Sequence, residues 1–172
     1  MPVRDIQSSS SLLQVDSILR HLTGLAGLAE VCRFLRHEFR HYRWVGIYLV
    51  DIETLHLAAW AGPQATEHVT ISVGEGICGL AVREDRTVIV DDVRSSPDYL
   101  ACFVETRSEI VVPIRAAGHV VGEIDIDGNE VRAYDASDDR FLTAVAQRLA
   151  NLVVQVRPEI LAGASPLRGG GP

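Results

Sequence analysis

The sequence has little of several features that would indicate a particular partner or environment. It contains no lysine, and its 16 arginines are scattered without forming a basic run, while the net charge is −7. An acidic chain without a basic patch is not expected to bind nucleic acid or an anionic membrane surface. No apolar run reaches the roughly 18 residues of a membrane-spanning helix, and the first residues lack the pattern of a signal peptide.

Cysteine is also scarce. Three cysteines in 172 residues are too few for the disulfide scaffold of a small secreted protein. We therefore expect a cytoplasmic protein, in which a pair of thiols is catalytic, redox-sensing or metal-binding. Cys32 falls on the apolar stripe of a predicted helix and is interpreted as a core residue. Cys78 and Cys102 instead lie where the chain turns, which is where reactive groups are usually displayed.

The length and composition indicate one domain. A chain of 172 residues with 47% hydrophobic residues can bury a core of its own. The polar, serine-rich residues 1–11 are predicted to form a loose arm, and residues 12–157 to form the single domain. Residues 158–172 include a stretch rich in glycine and proline and are predicted to be a flexible tail.

The spacing of apolar residues predicts the order of the secondary structure. Helical spacing begins at Ser11, continues in a second stripe from Leu28 to Phe39, and returns in a last helix that begins near Asp135 and ends or kinks at Pro158. A short helix is predicted over 77–84. Strands are predicted over 44–50, 55–60, 68–73, 87–90, 109–114 and 120–127. Strands in the middle with helices at both ends predict an α+β fold, an antiparallel sheet with helices packed on it.

Several side chains with chemical potential share faces of these strands. Asp125 and Asp127 are two residues apart and therefore point to one side of their strand. Trp44 and Tyr48, four apart, share a face in the same way. Glu109 opens a strand that can pair with the strand of the aspartates through a compact turn. Carboxylates on a strand that is otherwise apolar need partners or a ligand, so we expect them to line a site.

The chain carries a set of motifs that together resemble a GAF domain over about residues 12–155. The resemblance implies a central antiparallel sheet with helices on one face and a ligand pocket on the other. The motifs are Leu55-x-Leu57-x-Ala59-x-x-Gly62, Gly74-x-Gly76-Ile77-x-Gly79, Asp92-Val93, Arg107-Ser108-Glu109-Ile110-x-Val112-Pro113-Ile114 and Val121-Gly122-x-x-Asp125-Ile126-Asp127.

Within the GAF domains, the sequence resembles the free methionine-R-sulfoxide reductases. The similar motifs are Trp44-x-Gly46-x-Tyr48, Gly76-Ile77-Cys78-Gly79, Ala101-Cys102, Ser108-Glu109-Ile110-Val111 and Asp125-Ile126-Asp127. The resemblance implies that the redox pair is Cys78 and Cys102, that the pocket acids are Glu109, Asp125 and Asp127, and that the aromatic wall is Trp44 and Tyr48. The chain departs from the family near His68, where a further cysteine is often found, and at 60–63, which looks like a generic GAF domain.

These residues suit the reduction of a sulfoxide by thiols. The reaction needs a nucleophilic thiol, a proton donor at the departing oxygen and a second thiol that resolves the sulfenic acid. We assign Cys102 as the nucleophile and Cys78 as the resolving thiol, with the reverse order left open. Crowded carboxyls would raise at least one pKa and provide the acid. We expect no organic cofactor, a thioredoxin-like external reductant, and a homodimer formed through the end helices.

Other interpretations of the same residues are open at this point. The chain could be a GAF domain that binds a small molecule as a sensor, without catalysis. The glycines of 74–79 could serve only a tight turn, the aromatic residues could be ordinary core, and the two thiols could pack separately. A metal site built from Cys78, Cys102, His56 and His68 lacks the usual ligand spacings, and no metal is expected.

Overall fold

The computed structural model describes residues 3–170, with side chains described from residue 8 onward. Among these residues, none of the helices combines the length and the hydrophobicity that a membrane span requires. Four α-helices, one 3₁₀ turn (Val93–Ser95) and seven strands follow in this order: α1 Val3–His21, α2 Gly24–Glu38, β1 Trp44–Asp51, β2 Thr54–Ala61, β3 Thr70–Ser72, α3 Gly76–Glu84, β4 Val88–Val90, β5 Ser108–Ala116, β6 His119–Gly128, α4 Ala136–Leu161 and β7 Leu167–Arg168.

The strands form one sheet in the order β3-β2-β1-β6-β5-β4. All neighbours in that order pair antiparallel, and β7 adds a short parallel pair to the outer edge of β2. The two long hairpins, β1–β2 and β5–β6, are the connections expected from the sequence. The predicted antiparallel α+β fold is therefore confirmed.

The sheet separates two layers of side chains. Alternate residues of a strand point to opposite faces, and on β6 the residues Ile124 and Ile126 face an apolar core shared with α1, α2 and α4. Cys32 lies in this core with no exposed surface, as predicted. The opposite face of the sheet is covered by α3 and by the loop 96–107, and the site described below lies on that face.

The start of α4 is fixed by a network that also reaches β1. Asp135 caps the helix by accepting a hydrogen bond from the Ser137 amide (2.8 Å), and Asp138 completes the capping box by accepting one from the Asp135 amide (2.9 Å). Asp138 also accepts a hydrogen bond from the Tyr42 hydroxyl at 2.8 Å. Because Tyr42 lies two residues before the start of β1, the cap ties the helical layer to the central strands.

Both ends of the chain are more ordered than the composition predicts. α1 begins at Val3 rather than Ser11. The first turns contain a run of serines and so show no apolar spacing from which a helix could be predicted, whereas the later turns pack on the core through Ser11 and Val15. α4 continues through Pro158 to Leu161, since Ile160 beyond the proline is buried. The predicted tail contains β7. Residues 1–2 of the predicted arm and 171–172 of the predicted tail lie outside the described residues.

Candidate active site

Four carboxyl groups meet on the face of the sheet that α3 covers. β6 places Glu123, Asp125 and Asp127 on this face, and the β5–β6 register sets Glu109 directly opposite Asp127. All four residues are at most 5% exposed. The predicted grouping of Glu109, Asp125 and Asp127 is thus what the structure shows, with Glu123 added at the far end of the row.

Within the part of the chain that the structure describes, these carboxyls have no counter-charge. Among the described side chains, no arginine or histidine forms an ion pair with any of the four. Both oxygens of Glu123 and of Asp127, and one of Asp125, are buried without a hydrogen-bond partner. A buried, unpaired carboxylate is costly, so such a group holds its proton.

Burial is the main cause of the raised pKa values in this row. It raises the pKa of Asp125 to about 7 and that of Glu123 to about 8. The pKa values of Glu109 and Asp127 are raised well above the usual range, first by burial and then by the neighbouring Asp125. The row therefore holds several protons near neutral pH and can donate one without a metal or a solvent acid.

Cys78 joins this row from α3. Its Sγ and one carboxylate oxygen each of Glu109 and Asp125 lie within 4.8 Å of one another. Two glycines allow this approach: Gly76 has a φ of +69° at the start of the helix, and a Cβ on Gly79 would lie 2.5 Å from the Val73 carbonyl oxygen. The glycine motif thus serves a tight turn, and that turn also delivers the thiol.

Cys102 lies on the loop that covers the same space. Cys78, Cys102 and Glu109 line one cavity of about 10 Å³, together with Ile71, Gly76, Ile77 and Leu100. All three cysteines of the chain are free thiols. A volume of about 10–15 Å³ holds about one water molecule, so in this conformation the space between the thiols is too small for a larger molecule.

Both site thiols are held in the neutral form. Burial raises the pKa of Cys78 well above its usual range, and the carboxyls of Asp125, Glu123 and Glu109 raise it further. Burial also raises the pKa of Cys102, followed by the effects of Asp125, Asp127 and Glu109. A cation bound among the carboxyls would remove part of this repulsion and favour a thiolate, which is the reactive form.

An aromatic wall borders the carboxyl row. Trp44 stacks on Trp60 with ring centres 6.3 Å apart and contacts Phe103 at 5.6 Å. The Trp44 indole N–H donates to the Gln64 carbonyl at 3.2 Å, and the Tyr48 hydroxyl donates to the His68 carbonyl at 2.9 Å. Trp44 and Tyr48 therefore share a face as predicted, with their polar atoms directed to the surrounding loops.

Five of the seven predicted site residues line one or the other of two neighbouring cavities, and Tyr48 and Asp125 line neither of the two. The thiols and Glu109 line the first, whereas Trp44 and Asp127 line a second of about 30 Å³. The loop residues Cys102 and Phe103 are consecutive, and each lines one of the two cavities. The same loop thus lines both cavities.

Three residues of this region escaped the sequence analysis. Glu123 lies two residues before Asp125, just as Asp127 lies two residues after it, so the alternation along β6 could have placed Glu123 on the same face. Trp60 and Phe103 carry no such signal, because their contribution depends on how β2 and the loop meet Trp44. His68, near which the sequence resemblance expects a further cysteine, has its Nε2 3.1 Å from the carbonyl oxygen of Ala101, beside Cys102.

The ligand set considered for a metal from the sequence is not assembled. Among residues 8–170, the group whose possible ligand atoms lie close together consists of Cys78, Glu109 and Asp125, and it includes neither of the two histidines considered. His56 lies on β2, where it pairs with Leu49 and Thr70. The cluster that forms is the acid row with its thiol.

Comparisons with known proteins agree with this geometry. The family model described as a GAF domain matches residues 15–154. GAF domain-containing protein A of Dictyostelium discoideum is 35% identical over 86% of this chain and 97% of its own length.

Two solved structures are similar over most of their length. The type II free methionine-R-sulfoxide reductase of Thermoplasma acidophilum is 40% identical, with 77% of this chain and 96% of that chain covered and a TM-score of 0.72. The free methionine-R-sulfoxide reductase of Neisseria meningitidis, solved in complex with its substrate, is 35% identical, with 88% and 91% covered and a TM-score of 0.80. The chain therefore belongs to the GAF domain family and is related to free methionine-R-sulfoxide reductases.

Proposed function

We propose that this protein reduces free methionine-(R)-sulfoxide to methionine with its own thiols. The observation that carries the proposal is the single cavity lined by Cys78, Cys102 and Glu109. Sulfoxide reduction uses two thiols as the reductant and an acid as the proton donor, and all three groups line this cavity. The relatives named as reductases of this substrate support the same conclusion.

The first step transfers the sulfoxide oxygen to the enzyme. The sulfur of Cys102 attacks the sulfoxide sulfur, and its proton passes to a carboxylate of the acid row. A carboxylic acid, assigned to Glu109, protonates the sulfoxide oxygen as the sulfur–oxygen bond of the substrate breaks. The new sulfur–sulfur bond holds the substrate on Cys102 as a sulfonium, and the oxygen leaves as water after taking the second proton from the acid row. This water attacks the sulfur of Cys102, the sulfur–sulfur bond breaks, methionine leaves with the electron pair, and the proton of the water returns to the carboxylate of Glu109. Cys102 is then a sulfenic acid, so the sulfoxide is reduced by two electrons and the thiol is oxidised by two.

The second step closes the cycle. The thiol of Cys78 attacks the sulfenic acid of Cys102, which forms a disulfide and releases water. A dithiol protein of the thioredoxin type then reduces the disulfide, so the reaction requires no organic cofactor. We place this chemistry in the cytoplasm, where such reductants maintain free thiols, and propose a homodimer as the working form.

The acid row and the aromatic wall provide binding for a free amino acid. An α-ammonium group placed beside Asp127 gives an unpaired carboxylate its counter-ion, which a peptide-bound methionine lacks. The methyl end of the substrate would lie against Trp44 and Tyr48. The ammonium would also reduce the repulsion that raises the pKa of Cys102, so substrate binding would activate the nucleophile.

The direct test is consumption of free methionine-(R)-sulfoxide by the pure, reduced protein with dithiothreitol. The free (S)-epimer and a peptide-bound sulfoxide are the matched controls. We expect turnover of the free (R)-form alone. No turnover by a folded protein with three titratable thiols after denaturation would contradict the proposal and favour the alternative, a GAF domain that binds a small molecule as a sensor.

A further inference from the structure

The C-terminal segment Leu167–Gly170 is attached to the strand that carries Trp60. β7 pairs parallel with the end of β2, with Leu167 opposite Ala59 and Arg168 opposite Trp60. The amide of Gly169 donates a hydrogen bond of 2.7 Å to the Trp60 carbonyl. A segment with the composition of a flexible tail is thus joined by its backbone to one wall of the candidate active site.

Arg168 contacts this wall through its side chain. The centre of its guanidinium group lies 5.1 Å from the centre of the Trp60 ring, which is a cation–π distance. Its Nη2 donates to the Gly62 carbonyl at 3.1 Å. Among the described residues, Arg168 forms no ion pair with a carboxylate, so the ring and the carbonyl are its partners.

The Gly62 contact extends to the second tryptophan. A Cβ on Gly62 would lie 2.2 Å from Cδ1 of Trp44, so the indole ring lies directly on the backbone that Arg168 holds. Trp44 and Trp60 are nearly parallel, with 15° between their planes. Arg168 therefore touches Trp60 by its face and reaches Trp44 through one glycine.

Gly169 fixes the segment from the other side. A Cβ at this position would lie 1.9 Å from the carbonyl oxygen of Ala29, in the backbone of α2. No real side chain tolerates such a contact with backbone, so any larger residue would displace the segment. The strand pairing, the Arg168 contacts and this close approach together indicate a built attachment.

We propose that the segment Leu167–Gly170 is a positioning element for the aromatic wall, with Arg168 as the positioning residue. It holds Trp60 and, through Gly62, Trp44 in the orientation that receives the substrate. The substrate part of this inference rests on the proposed function. Because Arg168 does not contact the thiols or the acid row, its loss would weaken substrate binding and leave the chemical step unchanged.

The experiment compares Arg168→Ala, Arg168→Lys and Gly169→Ala with the parent protein. Arg140→Ala is the matched control, since Arg140 is exposed on α4, against the opposite face of the sheet. The sequence has two tryptophans, and both belong to this wall, so intrinsic fluorescence reports on it directly. Kinetics with free methionine-(R)-sulfoxide provide the second readout.

We expect Arg168→Ala and Gly169→Ala to shift the emission to longer wavelength and to raise KM while kcat stays within about twofold. A rise in KM of about threefold corresponds to loss of an exposed cation–π contact. Arg168→Lys should give an intermediate result, because it keeps the charge but not the planar donor. A double variant that combines Arg168→Ala with Gly169→Ala should resemble the stronger of the two single variants, since both changes release the same segment.

Two outcomes would overturn the proposal. The first is parent-like emission in Arg168→Ala and Gly169→Ala, whatever the kinetics. The second applies if the parent protein turns over substrate: it is a shifted emission in the two variants together with a KM equal to that of the parent. A parent protein without turnover would instead contradict the proposed function, and the emission spectra would still decide whether the segment positions the two tryptophans.

Discussion

Replacing Glu123 by glutamine should stabilise the protein at alkaline pH, although the residue is fully buried. Glu123 has no exposed surface, and neither of its oxygens has a hydrogen-bond partner. Glutamine has nearly the shape of the protonated acid but cannot lose a proton. At a pH where Glu123 is protonated in both the folded and the unfolded chain, the variant should therefore have the same free energy of unfolding as the parent. At a pH where only the unfolded chain has released the proton, the variant should have the higher free energy of unfolding.

The sign and the size follow from the two pKa values. Burial raises the pKa of Glu123 from 4.5 to about 8. As pH rises from 4.5 to 8, Glu123 ionises in the unfolded chain before it ionises in the folded protein. The contribution of Glu123 to the free energy of unfolding is therefore fully present below pH 4.5, is lost between pH 4.5 and pH 8, and stays constant above pH 8. At about 1.4 kcal/mol per pH unit, the loss has an upper bound of about 5 kcal/mol. Because neighbouring carboxyls share protons and water enters the row, we expect about 2 kcal/mol.

The assay is urea unfolding of the parent and of Glu123→Gln at pH 5 and pH 8.5. We expect free energies of unfolding within about 0.5 kcal/mol of each other at pH 5, and a variant about 2 kcal/mol more stable at pH 8.5. In a chain of this size the latter corresponds to about 6 °C in Tm. Glu159→Gln, at an exposed position of α4, is the matched control for the change of residue type. An equal difference at both pH values would refute the reasoning, because Glu123 would then not titrate in this interval.

Three further predictions concern the thiols and the acid row. Cys102→Ser should abolish turnover, while Cys78→Ser should complete one turnover per enzyme and fail to recycle with thioredoxin, as measured by methionine release; full activity in both variants would contradict a two-thiol mechanism. Glu109→Gln should lower kcat, because Glu109 is the assigned proton donor, and Asp127→Asn should weaken binding of the free amino acid about tenfold, as measured by KM; unchanged kcat and KM in both variants would remove these groups from the site. Cys32 should resist iodoacetamide in the folded protein, because burial raises its pKa, and mass spectrometry showing its early alkylation would refute this.

The main features of the fold and of the site follow from periodicity in the sequence. The alternation of Ile124 and Ile126 with two aspartates predicts one buried apolar face and one acidic face, and the sheet has both. Helical spacing in the same way predicts α2 and α4. The cavity shared by Cys78 and Cys102 was expected from the family resemblance, because periodicity places neither thiol.

The remaining features depend on contacts that no local pattern contains. The first turns of α1 consist mainly of polar residues, so their helix has no apolar stripe to reveal it. The segment Leu167–Gly170 has the composition of a disordered tail, yet it pairs with β2 because Gly169 fits against the backbone of α2. The division of the site into two cavities depends on the path of the loop 96–107, which spacing alone does not determine.

The alternating row on β6 also bears on how the chain reaches its register. This strand is central and pairs with β1 on one side and β5 on the other. A slip by one residue would turn Glu123, Asp125 and Asp127 into the apolar layer beneath the helices and turn Ile124 and Ile126 out of it. Misregistered sheets would thus bury three acids in hydrocarbon, so the side chains proposed to handle the substrate also exclude misfolded pairings before any substrate is bound.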